Sequence, residues 1–175
     1  ALHLACDWLV RADFPVTVAQ DARLPLLEAA RVDHVGVRSE HFYVWGSLPV
    51  DTLTQLAQDC ERALLLFRSW FGVSTGAVLA PAQVRNLVFV ANKQEYAATM
   101  EVCRDAFSAD RFAFLRDQVD MCFLEHGGES LRVYKSELGL DVCRDNAVRG
   151  VVQDATGVQS EGLWEGVGHA ACGLL

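Results

Sequence analysis

Residues 51–72 read DTLTQLAQDCERALLLFRSWFG and carry the clearest structural signal in the chain. Apolar residues recur there at steps of three and four, which is the periodicity of a helix with one apolar face. Asp51 or Thr52 can cap the beginning of this helix, and Gly72 can end it. The pattern predicts a long helix that packs one face onto a sheet. Its apolar residues are Leu53, Leu56, Ala57, Cys60, Ala63, Leu64, Phe67, Trp70 and Phe71.

Strand-like segments lie on both sides of this helix. The segment HFYVWGS (41–47) is rich in strand-forming residues and is closed by a glycine, which predicts a strand. The segment VRNLVFVA (84–91) is nearly all apolar, as is typical of a central strand buried on both faces. Asn92 and Glu95 follow with the spacing of a capping box, which predicts that the next helix begins there.

The C-terminal half adds a hairpin and two helices. In VDMCFLEHGGESLRVYKS (119–136), two strand-like runs flank Gly127 and Gly128, which predicts a turn at the glycines. Helical patterns follow at about 142–156 and 161–174. Residues 1–35 contain a short strand-like run and a helical run, and we interpret them as a lead-in segment. The order of elements predicts an α+β domain with a mixed β-sheet packed with helices.

Composition limits the possible partners and surroundings. The chain has 175 residues and a net charge of −8, which disfavours nucleic acid and anionic membrane surfaces. Because no apolar run approaches the length of a membrane-spanning helix, we expect a soluble domain without membrane insertion. The six cysteines form no C-x-x-C pair, which favours reduced thiols in the core, although their even number is also compatible with disulfides. The chain begins with Ala and ends in HAACGLL, so we expect a piece of a longer protein.

Three short motifs are better explained by structure than by chemistry. GVSTG (72–76) has the letters of a nucleophile elbow around Ser74, but it follows a helix rather than a strand. GVGHAA (166–171) partly matches a dinucleotide fingerprint, yet no strand precedes it. EHGGE (125–129) gathers Glu125, His126 and Glu129 at a turn, which is typical of a solvated hairpin tip. His3, His34 and His41 have no partner at metal-ligand spacing.

Three longer phrases carry a resemblance to a known family. They are SEHFYVWGSLPVDTLTQLAQDCERALLLFRSWFG, VRNLVFVANKQEYAATM and LWEGVGHAACGLL. With the order of elements, they resemble the zincin metallopeptidases that use a Glu as third zinc ligand, in particular bacterial peptidase-MA-like domains. The resemblance covers residues 36–175 and implies the zincin-like N-terminal subdomain plus the two active-site helices.

The resemblance also implies a zinc site whose residues this chain has replaced. The family holds Zn²⁺ with two His at i and i+4, uses an adjacent Glu to activate water, and takes a third ligand from the next helix. The corresponding segment here is RGVVQ, with Arg149 at the first His, Gly150 at the Glu and Gln153 at the second His. Glu165 matches the third ligand, while Glu161 is the alternative because Trp164 directly precedes Glu165. His169 lies one turn beyond Glu165. The resemblance therefore implies no catalytic residue, no bound metal and no cofactor.

A remaining carboxylate in the former metal cleft would need another cation to meet it. We hypothesise that Arg149 pairs with Glu165 or Glu161, because a guanidinium offers bidentate geometry to a carboxylate. The alternative is that Arg149 is an ordinary exposed helix residue.

The favoured interpretation is a catalytically inactive metallopeptidase-like domain that serves as a binding or scaffold module in a larger protein or assembly. Its expected partner is a protein or peptide, held by strand addition at a sheet edge. The alternative is an active metal-dependent hydrolase with a non-standard ligand set such as His126, Glu165 and His169. A third interpretation is a structural subunit with a large apolar surface. The resemblance favours an exported or periplasmic bacterial protein, and the cysteines favour the cytoplasm.

Overall fold

The computed structural model describes residues 12–71, 85–137 and 139–156. Within these ranges, six strands form one mixed sheet and five α-helices cover it, which confirms the predicted α+β class. The strands are β1 (Thr17–Ala19), β2 (Val35–Arg38), β3 (Phe42–Gly46), β4 (Arg85–Val90), β5 (Met121–His126) and β6 (Glu129–Lys135). The helices are α1 (Pro25–Ala29), α2 (Val50–Phe71), α3 (Lys93–Val102), α4 (Ala109–Gln118) and α5 (Leu140–Thr156), and a 3₁₀ turn spans Arg104–Ala106.

The strand order is β1-β2-β3-β4-β6-β5. The strands β1, β2 and β3 form an antiparallel meander, whereas β3 pairs in parallel with β4, and β4 in parallel with β6. The long helix α2 makes the crossover between the parallel strands β3 and β4, as parallel pairing requires a connection of this kind. The hairpin partner β5 then closes one side of the sheet, antiparallel to β6.

Local sequence signals fix several of these boundaries. The side chain of Asn92 accepts a hydrogen bond from the amide of Glu95 at 3.0 Å, so the predicted cap of α3 is confirmed. The Glu95 carboxylate accepts from the amide of Ala91 at 3.0 Å, one residue before the cap. Gly127 and Gly128 have φ of 62° and 82° at the β5–β6 turn, a conformation that glycine adopts without a steric cost. The hairpin prediction is therefore confirmed.

Each face of the sheet has its own core. The α2/α5 face is covered by helices α2 and α5, and the α1/α3/α4 face by the other three helices. Alternation along β4 divides its side chains between the two, with Leu87 and Phe89 on the α2/α5 face and Val88 and Val90 on the other. This double burial confirms the prediction of a central strand over residues 84–91. The sheet is thus the middle of three layers.

The described part of the lead-in segment joins this architecture. β1 extends the sheet beyond β2, and α1 buries Leu26 and Leu27 completely in the core of the α1/α3/α4 face. The described part of the lead-in segment is therefore integrated with the rest of the domain. Among the helices that the structure describes, none has the length and hydropathy that crossing a membrane requires.

One close approach between strands depends on a glycine. A Cβ atom added at Gly46 would collide with the carbonyl oxygen of Phe89 on the neighbouring strand β4. The chain therefore needs glycine at the end of β3, where the sequence already indicated the end of a strand.

Candidate functional site

Helix α5 places the segment RGVVQ (149–153) against the sheet. Ala147, Val148 and Val151 are buried in the core of the α2/α5 face, which fixes how the helix is turned. Gly150 is buried on the same side, next to β6. The helix prediction for 142–156 is confirmed, with two more residues at its beginning.

The absence of a side chain at Gly150 is a steric requirement. A Cβ atom built there would collide with Nη1 of Arg132 and would lie 2.7 Å from the hydroxyl oxygen of Tyr134. At the position where the family resemblance implies a glutamate, the space beside the helix is thus taken by a guanidinium and a phenol. We refer to Arg132, Tyr134, Gly150 and Phe123 as the arginine–glycine site.

Arg132 is held firmly within this site. It lies on β6 and is 7% exposed, so more than nine-tenths of its surface is buried. Its Cζ atom lies 4.5 Å from the centre of the Phe123 ring, and the two residues are directly opposite in the β5–β6 pairing. A guanidinium over an aromatic face gains cation–π stabilisation, and its orientation is restricted.

Tyr134 completes the buried part of the site. Its ring stacks on Phe89 with 4.8 Å between centroids and 13° between planes. Burial raises the pKa of the phenol, and the nearby charge of Arg132 offsets part of this effect. The hydroxyl therefore stays neutral at physiological pH, where it can donate or accept a hydrogen bond but is not a base.

Arg149 turns toward its own helix. Its Nε lies 3.0 Å from Oδ2 of Asp145, and its terminal NH₂ donates to Oδ1 of Asn146. These contacts hold a half-buried guanidinium at α5. The predicted pairing of Arg149 with Glu165 or Glu161 involves residues outside the described ranges and stays a prediction.

Several other predicted features also fall outside the described ranges. They are Ser74 in GVSTG, the segment GVGHAA, the helix at 161–174, and the candidate residues Glu161, Glu165 and His169. Gln153 lies within the last turns of α5, but its side chain is not among those described.

The EHGGE turn is an exposed hairpin tip, as predicted. Glu125 and Glu129 are exposed, and His126 is half-buried at the end of β5. In the part of the chain that the structure describes, no group of three His, Cys, Asp or Glu side chains is arranged to hold a metal ion. Cys60, Cys103 and Cys122 are buried thiols.

A second buried polar group lies on helix α2. The carboxylate of Glu61 accepts from the Ser39 hydroxyl at 2.7 Å and from the His41 amide at 2.7 Å, and it lies 2.9 Å from Nδ1 of His41. The Glu61 side chain is 2% exposed. This carboxylate ties α2 to the connection between β2 and β3, so its role is structural.

The sequence contained signals for both groups that were not interpreted. His41 has no partner at metal-ligand spacing in the sequence, and its partner Glu61 on α2 becomes adjacent only through packing. Arg132 is a charged residue between two buried apolar residues of β6, Leu131 and Val133. Gly150 lies inside a helix, where glycine costs about 1 kcal/mol relative to alanine and therefore suggests a close contact.

Comparison of the chain with protein-family models, curated proteins and solved structures finds no match.

Proposed function

We propose that this chain is a metallopeptidase-like domain without catalytic activity, which binds a protein or peptide partner as a module of a larger protein or assembly. The proposal follows from the sequence resemblance and from the chemistry of the arginine–glycine site. Both concern the same helix, α5.

The observation that carries the proposal is the contact between Gly150 and Arg132. Metal-assisted hydrolysis needs a carboxylate beside the metal-bound water, whose pKa the cation lowers. Here the corresponding position has no side chain, and its space is filled by the buried cation of Arg132. A positive guanidinium next to the helix opposes the binding of Zn²⁺ by Coulomb repulsion. This contact supports the proposal that α5 does not hold a catalytic metal.

A sheet edge lies beside this site. Within the described ranges, β5 pairs only with β6, so its other side carries backbone amide and carbonyl groups directed away from the sheet. An extended peptide can pair with such an edge and gain main-chain hydrogen bonds. β5 contains no proline or lysine, which are residues that commonly prevent edge pairing. We therefore propose β5 as the strand to which a peptide partner adds.

Zinc content and proteolysis test the loss of catalysis. The purified chain is dialysed against buffer with equimolar zinc, its bound metal is measured by mass spectrometry, and its activity is assayed on unstructured casein. We expect well under one zinc per chain and no cleavage above buffer. Stoichiometric zinc whose removal by a chelator abolishes casein cleavage would contradict the proposal and support the non-standard hydrolase.

The proposed charge replacement at Arg149 has its own test. If Arg149 meets Glu165 or Glu161, a double-mutant cycle of Arg149→Gln with each glutamate→Gln variant gives a coupling energy of about 1 to 3 kcal/mol for one of the two pairs. Urea unfolding supplies the free energies. Coupling below about 0.5 kcal/mol for both pairs would leave Arg149 as a residue that serves only α5.

A further inference from the structure

We infer that His34 is an acid-sensitive clamp, which holds helix α1 in the core while its imidazole is neutral and releases the helix when the ring takes up a proton. The inference rests on the hydrogen bonds between this side chain and two backbone groups. It does not depend on the proposed function.

The two ring nitrogens of His34 both bind backbone groups of the same loop. Nε2 lies 3.0 Å from the amide nitrogen of Leu24, and Nδ1 lies 2.9 Å from the carbonyl oxygen of Val32. A backbone amide only donates a hydrogen bond, and a carbonyl oxygen only accepts one. Nε2 must therefore accept from Leu24, while Nδ1 carries the proton and donates to Val32. We call this pair of bonds the His34 clamp.

A protonated imidazole cannot make both bonds of the clamp. With a proton on each nitrogen, the N–H group at Nε2 would point at the N–H group of Leu24, so the bond between the two residues would be lost. Leu24 is 2% exposed, and a buried amide without an acceptor is unfavourable. Histidine is the side chain whose charge ordinarily changes between about pH 5 and 8. Acid therefore opposes the clamp within that range.

The groups around the imidazole do not favour a proton on it. Its ring meets the uncharged ring of Trp45, with 6.1 Å between centroids. Within the described ranges, His34 forms no ion pair with a carboxylate, whereas Nδ1 of His41 lies 2.9 Å from the carboxylate of Glu61. His34 also lines a cavity of about 450 Å³, whose charged residues are two cations and two anions: Arg23, Arg31, Glu28 and Asp33.

Helix α1 depends on contacts such as the clamp because it is short. It has five residues, and isolated helices below about 12 residues are marginal in water. Leu26 and Leu27, both 0% exposed, pack in the core of the α1/α3/α4 face. Arg31 follows the helix with a φ of 57°, a conformation that favours glycine over other residues. Release of α1 would relieve this conformation and expose the two leucines.

The sign of the pH dependence follows from the released state. The imidazole is free to take up a proton when α1 is released, whereas the closed clamp needs Nε2 unprotonated. The docked state is therefore favoured above the pH at which a free histidine titrates, about 6.5, and becomes less favoured below it. For one such group, the equilibrium between docked and released α1 shifts by about tenfold between pH 7.5 and 5.5.

NMR spectroscopy and hydrogen exchange on the full chain test the inference. The ¹⁵N shifts of the imidazole at pH 7.5 show which ring nitrogen carries the proton. Protection factors for the amides of Leu24 and Val32 are measured at pH 7.5 and 5.5, after correction for the intrinsic effect of pH on exchange. The Val32 amide reports on α1 because it donates to the carbonyl of Leu27 at 2.9 Å. Amides of the central strand β4 report on global unfolding.

Two variants separate the clamp from other effects of acid. His34→Gln keeps a side-chain oxygen that can accept from the Leu24 amide, but it does not titrate in this range. His126→Gln is the matched control, because His126 lies at the end of β5, at the exposed hairpin turn.

We expect the proton on Nδ1 at pH 7.5. In wild type and in His126→Gln, the protection of the Leu24 and Val32 amides should be about tenfold lower at pH 5.5 than at pH 7.5. In His34→Gln it should change by about twofold or less. At both pH values these two amides should remain less protected than those of β4, because α1 opens while the sheet stays folded.

Four results would overturn the inference. They are a proton on Nε2 at pH 7.5, an unchanged protection in wild type, the same loss of protection in His34→Gln, and equal protection of α1 and β4 amides at pH 5.5. The last result would mean that acid unfolds the whole domain. If His34→Gln lacks protection at both pH values, glutamine does not reproduce the clamp, and the wild-type tautomer and pH series decide.

Discussion

The cores on the two faces of the sheet differ in composition. The core of the α1/α3/α4 face is apolar and sulfur-rich, with Met100, Cys103 and Cys122 packed around Tyr96. The α2/α5 face also has an apolar core, but it contains the buried charged residues Asp59, Glu61 and Arg132. The same sheet therefore separates a side whose buried side chains are almost all apolar from a side that buries the charged residues Asp59, Glu61 and Arg132.

This difference bears on the stability of the domain. A buried charge is unfavourable for stability unless it is met by fixed partners. Glu61 has such partners in Ser39 and His41, and they link α2 to the strands. Arg132 is buried on the same face, where its Cζ atom lies 4.5 Å from the centre of the Phe123 ring and its guanidinium lies against Gly150.

The largest effect is expected from truncation on the apolar face. Met100→Ala removes a completely buried side chain that contacts the thiol of Cys122 at 3.0 Å. We expect a loss of about 2 to 5 kcal/mol in the free energy of unfolding, measured by urea titration, with peptide binding at β5 unchanged. Val18→Ala, at a 45% exposed site, is the control and should cost little. A loss below about 1 kcal/mol would mean that this core is less tightly packed than its burial indicates.

A smaller loss of stability is expected when the buried carboxylate of Glu61, on the α2/α5 face, is neutralised. Glu61→Gln keeps the shape of the side chain but removes the charge that accepts from Ser39 and His41, so we expect about 1.5 to 3 kcal/mol of destabilisation. Glu40→Gln is the matched control, because the Glu40 side chain is 78% exposed. Equal effects of the two substitutions in urea titration would show that the buried carboxylate has no special role.

Substitution at Gly150 tests the arginine–glycine contact. Gly150→Ala must displace the Arg132 guanidinium, but it also improves helix propensity, so the net loss is expected to be about 1 kcal/mol. In an Arg132→Ala, Tyr134→Phe background, the same change should instead stabilise the protein by up to about 1 kcal/mol. The reversal of sign in urea titration is the critical observation. A stabilising Gly150→Ala in the wild-type background would refute the contact.

The smallest effect is expected from a change of pH. The free energy of unfolding should fall at alkaline pH, mainly because of buried thiols on the α1/α3/α4 face. Burial raises the pKa of the Cys122 thiol to about 11 and also raises the pKa of Cys103. Because the unfolded thiols lose protons first, their stabilising contribution is complete below about pH 7.5, one unit below the unfolded pKa, and is lost as pH rises toward 11. For Cys122 we expect a loss of about 0.4 kcal/mol between pH 7.5 and 8.5, with a steeper loss above.

Urea midpoints measured from pH 7 to 11 check this dependence. Cys122→Ala should show a shallower decline above pH 8.5 than wild type, because one of the two thiols is removed. A wild-type midpoint that stays constant to pH 11 would contradict the raised pKa values. Above pH 10, Tyr96 and Tyr134, whose pKa values burial also raises, add to the decline.

Much of the fold can be predicted from local patterns in the sequence. Residue periodicity or backbone chemistry within a few positions predicts four features: the helix that begins at residue 51, the doubly buried strand near residues 84–91, the Asn92 cap and the glycine turn at 127–128. No local pattern discussed above predicts helix α4, which is capped by Ser108. Only Phe112 and Leu115 of this helix are buried, so the face that it packs against the sheet is small.

Only part of the candidate site can be predicted from the sequence. The sequence resemblance suggests Arg149 as the cation that would replace the metal ion. In the described ranges, Arg149 contacts Asp145 and Asn146 of its own helix. The cation that lies against Gly150 is Arg132, eighteen positions earlier in the chain (150 − 132). A pattern along one helix cannot identify a residue that arrives from a strand.

The sequence by itself determined the α+β class and the position of most elements, because these depend on neighbouring residues. Only the tertiary structure decided the strand order, the pairing of Glu61 with His41 and the contact of Arg132 with Gly150. Such contacts join residues that are far apart in the chain, and their geometry is set by how α2 and α5 pack on the sheet.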